Sequence, residues 1–265
     1  GELRDYQVTG FEWLVRLAHW GVGACLADDM GLGKTIQALA VILTRAAEGP
    51  TLVIAPTSVG ANWIREAARF APTLRVKRFG AGDRRDTIES AGPYDLIVCT
   101  YGLLAQEGEL LADRSWTTIV LDEAQAIKNM ATKRSKAAMD LVGEFKLITT
   151  GTPIENHLGE LWNQFKFINP GLLGSIKNFN ERFAVAIERD RDKEVGKKLR
   201  KLIHPFILRR TKSQVLDELP PRTEIMLQVE LSDDESAMYE ALRRAAVEKL
   251  AAGGVQAGEQ RFAIF

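Results

Sequence analysis

With 265 residues, 46% of them apolar and 26% charged, the chain can bury a sizeable core as one large domain or one domain with an insertion. Its 35 Lys and Arg balance 35 Asp and Glu, so no whole-molecule field draws it to nucleic acid, and any such binding has to come from local patches. The two cysteines, Cys25 and Cys99, sit in apolar runs without metal-ligand spacing, which argues against a disulfide framework and a thiolate metal centre.

Such cysteine usage points to a reducing compartment, the cytoplasm or, in a eukaryote, the nucleus. There is no signal-like start and no apolar run of bilayer length, so no membrane partner is expected. The chain begins at Gly1 without a methionine and stops mid-pattern at Phe265, and it reads as an excised fragment.

Residues 3–20 have helical spacing, with Phe11, Leu14, Val15 and Leu17 on one side and Gly21 as the stop. A theme then repeats: a short apolar run, a polar tip, a helical pattern. The apolar runs at 24–27, 52–55, 96–99, 118–121 and 146–148 predict strands, and the spacing at 35–47, 59–70, 103–112 and 133–142 predicts helices. Apolar strands alternating with helices predict an α/β fold with a mostly parallel sheet covered on both faces. Trp13, Trp20, Trp116 and Trp162 read as core or near-core residues.

Beyond Asn169 the rhythm changes. Residues 170–221 hold no apolar strand run but do hold helical patterns at 176–187 and 193–203. Alternation at Ile225, Leu227, Val229 and Leu231 predicts a strand, and Ser232 has capping-box spacing to Glu235 at the start of a last helix. Gly253, Gly254 and Gly258 loosen the end.

In an open parallel sheet the carboxyl ends of the strands share one edge, and ligands bind there. The tips expected on that edge are chemically loaded. The first is Asp28-Asp29-Met30-Gly31-Leu32-Gly33-Lys34-Thr35, between a strand and a helix, which is the setting of a phosphate-binding loop. Its glycines let backbone N–H groups wrap phosphates, and the helix starting near Lys34 points its positive end at them. Lys34 is placed to reach the β- and γ-phosphates of ATP, and the Thr35 hydroxyl to ligate Mg²⁺. The general pattern has glycine six residues before the lysine, where this chain has Asp28.

Asp122-Glu123 ends another strand. Asp122 suits an Mg²⁺ held through water, and Glu123 suits the orientation or deprotonation of an attacking water. An acidic pair there can also be a plain helix cap, but beside a lysine loop it points to ATP hydrolysis. Thr57 and Ser58 open a helix after Pro56, so their hydroxyls and free N–H groups suit a phosphate of a nucleic-acid backbone, or simple capping. Trp63 fits packing at least as well as function. The basic stretch from Arg189 to Lys212 reads either as a solvated helix face or as a salt-sensitive phosphate-tracking patch.

Three segments together carry a resemblance: residues 28–37, residues 121–129 (Leu121-Asp122-Glu123-Ala124-Gln125-Ala126-Ile127-Lys128-Asn129) and residues 150–156 (Thr150-Gly151-Thr152-Pro153-Ile154-Glu155-Asn156). In this order they strongly resemble the Swi/Snf-type ATPases of helicase superfamily two, over nearly the whole chain. Leu3-Arg4-Asp5-Tyr6-Gln7 near the start, and Pro205 to Lys212 with Glu218-Leu219-Pro220 near the end, extend the match.

The resemblance implies a RecA-like three-layer sandwich with a helical insertion, and it makes Asp28 the usual residue of its loop position. It implies that Gln7 reads the adenine edge and that Asp28, Met30, Gly31, Leu32, Gly33, Lys34 and Thr35 hold the nucleotide. Thr57, Ser58, Thr100 and Tyr101, with Arg209, Arg210 and Lys212, are then expected on the backbone of double-stranded DNA. Thr150, Gly151 and Thr152 are expected to couple ATP state to DNA contact. Gln125 stands where many relatives carry histidine, a form more familiar in prokaryotic members, and is counted with Lys34, Asp122 and Glu123 as catalytic.

On this reading residues 1–169 are the first RecA-like lobe, 170–221 a helical insertion with the basic segment, and 222–265 a strand and helix leading toward a second lobe that is absent. The parent is expected to be a double-stranded-DNA translocase that remodels contacts between DNA and an unidentified protein. The chain alone is expected to hydrolyse ATP slowly or not at all, because arginines of a second lobe are missing. The alternatives are a lobe of a strand-separating RNA or DNA helicase, or a non-enzymatic partner-binding module.

Overall fold

The computed structural model describes residues 2–151, 158–215 and 232–251. Residues 1–217 form one compact unit and residues 218–265 another. The first unit opens on α1 (Asp5–His19), β1 (Ala24–Leu26), α2 (Lys34–Arg45), β2 (Thr51–Ala55) and α3 (Thr57–Phe70). Then come β3 (Arg75–Arg78), α4 (Arg84–Glu89), β4 (Asp95–Thr100), α5 (Tyr101–Ala112) and β5 (Ser115–Asp122). A short 3₁₀ turn at Ala124–Ile127 leads to α6 (Lys133–Asp140), β6 (Val142–Thr149) and α7 (Leu158–Ile168). The remainder is α8 (Ile176–Phe179), a π-helical stretch (Asn180–Arg189), α9 (Lys193–Ile203), β7 (Ile207–Leu208) and α10 (Lys212–Val215). The second unit contributes α11 (Asp233–Ala251), which starts with the expected capping box: Ser232 N–H donates to Glu235 Oε2 at 3.0 Å, and Glu235 N–H to Ser232 Oγ at 3.4 Å.

The seven strands lie in the order β3-β4-β2-β5-β6-β1-β7, and every pairing is parallel. Central strands are buried on both faces, all five residues of β2 among them, which is why they read as unbroken apolar runs. On one face Leu14, Leu39, Ile42, Trp63 and Ala67 pack from α1, α2 and α3. On the other, Leu104, Leu111, Ala138, Leu161 and Phe165 pack from α5, α6 and α7. The result is the three-layer α/β sandwich that the alternation predicts.

The differences have physical causes. β3, with sequence Arg-Val-Lys-Arg, is an edge strand without an apolar run, because charge on an exposed edge discourages pairing with another molecule. α7 lacks a clear amphipathic pattern because eight of its 11 residues are buried. Helix 133–142 stops at Asp140, and Val142 already begins an eight-residue strand in which Val142 and Glu144 are exposed. The helical pattern at 176–187 divides into α8 and wider π turns.

Two expectations are corrected. Residues 170–221 do contain a strand: β7, only two residues long, pairs Ile207 with Cys25 and Leu208 with Leu26. Trp20 is 65% exposed rather than near the core, whereas Trp116 and Trp162 are buried. The strand expected at 225–231, the motif at 218–220 and the glycines from Gly253 onward lie outside the described residues.

Candidate nucleotide site and the edge around it

Because all strands are parallel, every tip leaves the same edge, and the register aligns three of them. Leu26 of β1 pairs with Thr149 of β6, and Thr149 pairs with Asp122 of β5. The phosphate-type loop and Asp122 therefore stand two strand spacings apart, about 10 Å, with β6 between them.

The loop after β1 turns through Gly31 (φ 90°) and Gly33 (φ 74°), a left-handed backbone that favours glycine. A Cβ at Gly33 would also lie 2.4 Å from Gln7 Nε2, so the space has no room for one. Gln7 is buried, donates from Nε2 to the Leu32 carbonyl at 3.2 Å and accepts from Arg4 N–H at 3.0 Å, so α1 is moored to the loop through it. α2 begins at Lys34 without a side-chain cap, which leaves first-turn N–H groups for an anion.

Lys34 Nζ donates to the main-chain carbonyls of Asp28 (2.7 Å) and Asp29 (3.4 Å). Burial lowers its pKa, while the charges of Glu123, Asp122, Asp28 and Asp29 act to raise it. The lysine and the acidic pair thus share one site. Met30 at the loop's apex is 74% exposed and Leu32 is fully buried, so the loop has an open side and a core side.

Asp28 is completely buried and its carboxylate is met by Arg210, Nε to Oδ1 at 3.0 Å and Nη2 to Oδ2 at 2.5 Å. Arg210 also donates to Gln37 Oε1 (2.8 Å) and to the Tyr6 carbonyl, with its guanidinium 5.3 Å from the centre of the Tyr6 ring. Arg210, expected on DNA, has a side chain only 12% exposed that braces the loop after β1. Tyr6, whose hydroxyl reaches the Leu32 carbonyl at 3.2 Å, and Gln37 join the same network. No local spacing announces it, because the partners are 173 to 204 residues apart.

Asp122 is buried. Its Oδ1 accepts from Thr149 Oγ1 (2.5 Å) and Glu123 N–H (3.0 Å), and its Oδ2 from Trp63 Nε1 (2.8 Å). Glu123 sits at φ 50°, ψ 59°, a left-handed conformation that is rare for a residue with a side chain. Gln125 Nε2 donates to Glu123 Oε2 (2.8 Å), and Gln125 Oε1 accepts from Thr150 Oγ1 (3.1 Å). The acidic pair is wired to the tip of β6 through Gln125. Thr150 is buried, Gly151 half-buried, and Thr152 lies outside the described residues.

The chemistry of the donors fits a nucleotide with Mg²⁺. The Thr35 hydroxyl and Asp122 carboxylate are hard oxygen donors, and no group of three or more His, Cys, Asp or Glu able to hold a metal occurs among the described residues. Mg²⁺ keeps several waters and uses one or two protein oxygens plus phosphates, a requirement this pair can meet.

Two further tips flank a cleft of about 390 Å³ whose lining includes Thr57, Ile64, Arg78, Thr100 and Leu103. Thr57 and Ser58 are exposed at the uncapped start of α3, while Thr100 Oγ1 caps α5 by accepting from Leu103 N–H at 3.2 Å. Tyr101 departs from the expectation of a surface contact: it is buried, and its hydroxyl donates to the Asp122 carbonyl at 2.9 Å. Arg209, 45% exposed at its side chain, approaches Asp29 (3.8 Å) and the Gly151 carbonyl (3.4 Å). Lys212 is exposed, and its main-chain N–H meets Asp29 Oδ2 at 3.1 Å.

A family model for the SNF2-related domain matches residues 6–263. The chain belongs to that family. It is 45% identical over 251 residues to YwqA of Bacillus subtilis, covering 91% of this chain and 27% of that protein. It is 38% identical over 263 residues to the ISWI chromatin-remodeling complex ATPase CHR11 of Arabidopsis thaliana, covering 96% of this chain and 25% of the relative. The SNF2-related chain thus spans about a quarter of the length of these curated relatives. Among solved structures it is similar to the Sulfolobus solfataricus SWI2/SNF2 ATPase core in complex with dsDNA, with a TM-score of 0.76 and 39% identity, covering all of this chain and 56% of the other. The same core without DNA in its description gives 0.75 and 40%. With this likeness the three-layer sandwich has the RecA-like fold of an SNF2-related domain. No helix among the described residues is long and apolar enough to cross a membrane.

Proposed function

We propose that the chain is the nucleotide-binding first lobe of a motor that hydrolyses ATP when bound to double-stranded DNA and moves along it, remodelling DNA–protein complexes. The observation that carries this reading is one connected edge. Lys34 lies in the field of Asp122 and Glu123, and Gln125 bridges Glu123 to Thr150. Membership of the SNF2-related family and likeness to a core that was seen with dsDNA support the choice of partner.

Mg²⁺, when bound with ATP, neutralises charge on the phosphates and orients them. The chain's own residues do the rest. Gly31 and Gly33 open the loop's N–H groups to phosphate oxygens, Lys34 trades its contacts with the Asp28 and Asp29 carbonyls for the phosphates, and Thr35 and Asp122 hold the metal. Glu123, fixed by Gln125, orients the attacking water and takes its proton. Gln7 faces the base. Thr57, Ser58 and Thr100, with Arg209 and Lys212, contact DNA phosphates, and Thr150, Gly151 and Thr152 report the nucleotide's state to them.

A second RecA-like lobe of the parent supplies the remaining charge on the transition state, so the 265-residue chain alone binds ATP weakly and turns it over slowly. The test is hydrolysis by the full-length parent with duplex DNA, single strands or RNA, paired with triplex- and strand-displacement assays. Stimulation by duplex with triplex displacement and no strand separation is expected. Strand separation would move the protein to the helicase reading, and no hydrolysis under any condition would leave a partner-binding module.

A further inference from the structure

We propose that Trp63 and Tyr101 are positioning residues that tie the starts of α3 and α5 to Asp122, so that DNA engaging those starts sets the geometry of the metal-holding acid. The inference rests on the ATP and DNA reading above and deepens it.

Asp122 is gripped from two sides by side chains that do not belong to its own strand or the next one. Trp63 Nε1 donates to its carboxylate at 2.8 Å, and the Tyr101 hydroxyl donates to its main-chain carbonyl at 2.9 Å. Trp63 is fully buried, and Tyr101 and Asp122 are each 6% exposed, so water does not compete for these bonds. An indole N–H can only donate, and it fixes the rotation of a carboxylate whose other oxygen is already taken by Thr149 and Glu123.

Each donor sits on the helix that begins at an outer tip. Trp63 follows Thr57 by six residues, about 9 Å along a rigid α-helix. Tyr101 directly follows Thr100, the cap of α5. Both starts line the same cleft. A shift of either helix by a few tenths of an ångström therefore moves a hydrogen-bond donor on Asp122. Packing alone does not ask for the Tyr101 hydroxyl, since a phenylalanine fills the same space, and at Trp63 the indole N–H ends on the carboxylate rather than on a main-chain carbonyl. The main-chain carbonyl of Asp122 can only accept, so the Tyr101 hydroxyl is the donor of this bond. This link is separate from the one through Gln125 and Thr150, which ends on Glu123.

The test uses Trp63→Phe and Tyr101→Phe in the full-length protein: each removes one donor, Tyr101→Phe keeping its ring and Trp63→Phe keeping a smaller aromatic ring. ADP affinity is measured by calorimetry with Mg²⁺ and with EDTA, duplex affinity by anisotropy, and ATP hydrolysis as kcat and KM with and without duplex. For Trp63→Phe, the gain in ADP affinity caused by Mg²⁺ falls about tenfold. Its metal-free ADP affinity and duplex affinity stay within about twofold, and the kcat reached with DNA falls at least about tenfold at constant KM. Tyr101→Phe, which touches the main chain rather than the carboxylate, lowers the ratio of DNA-stimulated to basal kcat by roughly three- to fivefold.

Wild-type values for the Mg²⁺-dependent gain and the stimulation ratio in both variants would overturn the inference. So would a parallel loss of metal-free nucleotide and duplex affinity, which marks a purely structural role. If Trp63→Phe does not fold, Tyr101→Phe decides by the same measurements. A wild-type protein that hydrolyses ATP without responding to DNA would overturn the functional reading and the transmission, while the Mg²⁺ arm still judges the hold on Asp122.

Discussion

The loop after β1 and the tips after β2 and β4 leave the same edge of one sheet, yet they are held in opposite ways. The first is braced from far along the chain: β7 pairs with β1, Ala27 N–H meets the Leu208 carbonyl at 2.7 Å, and Arg210 closes on Asp28. The tips after β2 and β4 are finished locally, by helices that begin at once and by a cap three residues away. A loop that turns through two left-handed glycines and buries a carboxylate needs outside support, whereas the backbone of a helix start is set by its own first turn.

Breaking the long-range brace has the largest expected effect. Arg210→Ala leaves a buried Asp28 carboxylate without its cation and costs about 3–5 kcal/mol in urea unfolding. Nucleotide affinity falls with it, and an Asp28→Asn change in the same chain restores part of the stability. Equal stability of wild type and Arg210→Ala would mean that the brace is not needed.

Lys34→Met separates the loop's binding role from its stability. ADP affinity with Mg²⁺ falls by about 1.5–3 kcal/mol, on the order of 10- to 100-fold. Without nucleotide the thermal midpoint rises instead, because burial, against the pull of four carboxylates, leaves the Lys34 pKa lowered, so its charged form is costlier in the fold than in the unfolded chain. For the same reason the wild-type penalty fades as pH rises through the folded pKa toward 10.5, and the two proteins converge there. A lower midpoint for Lys34→Met at neutral pH would contradict this.

At the locally built tips the effects are smaller. Thr100→Ala removes one cap and costs about 1 kcal/mol, and Thr100→Ser keeps most of it. A loss as large as that of Arg210→Ala would erase the contrast between the regions. The smallest effect is none at all. Cys25 and Cys99 are buried thiols whose pKa values are pushed up to about 12, so a thiol reagent leaves them untouched in the folded chain and titrates both in urea.

The same contrast explains what could be read from the sequence. The five central strands, and the helices after all of them but β6, were legible because burial on both faces writes itself as unbroken apolar runs. Lys34, Thr35, Asp122 and Glu123 were legible because the tips carry them within a few residues. Tyr101 was expected on DNA from the resemblance, and Arg210 from it and the basic stretch around it, but the structure turns both side chains inward, one onto Asp122 and the other onto Asp28. Trp63 fitted packing, and nothing in its spacing reveals that its N–H ends on Asp122. β7 stayed hidden because two residues are too short for any period, and their reason for being a strand lies 182 residues upstream.

That distance also sets a timetable. At about 5–20 residues per second of synthesis, Arg210 leaves the ribosome roughly 10 to 40 s after Asp28. Until β6 emerges, roughly two-thirds of the way through that interval, β1 has neither neighbour, and its three apolar residues are open on both edges. The loop between β1 and α2 is therefore among the earliest segments made and, with Arg210 as its brace, among the last completed.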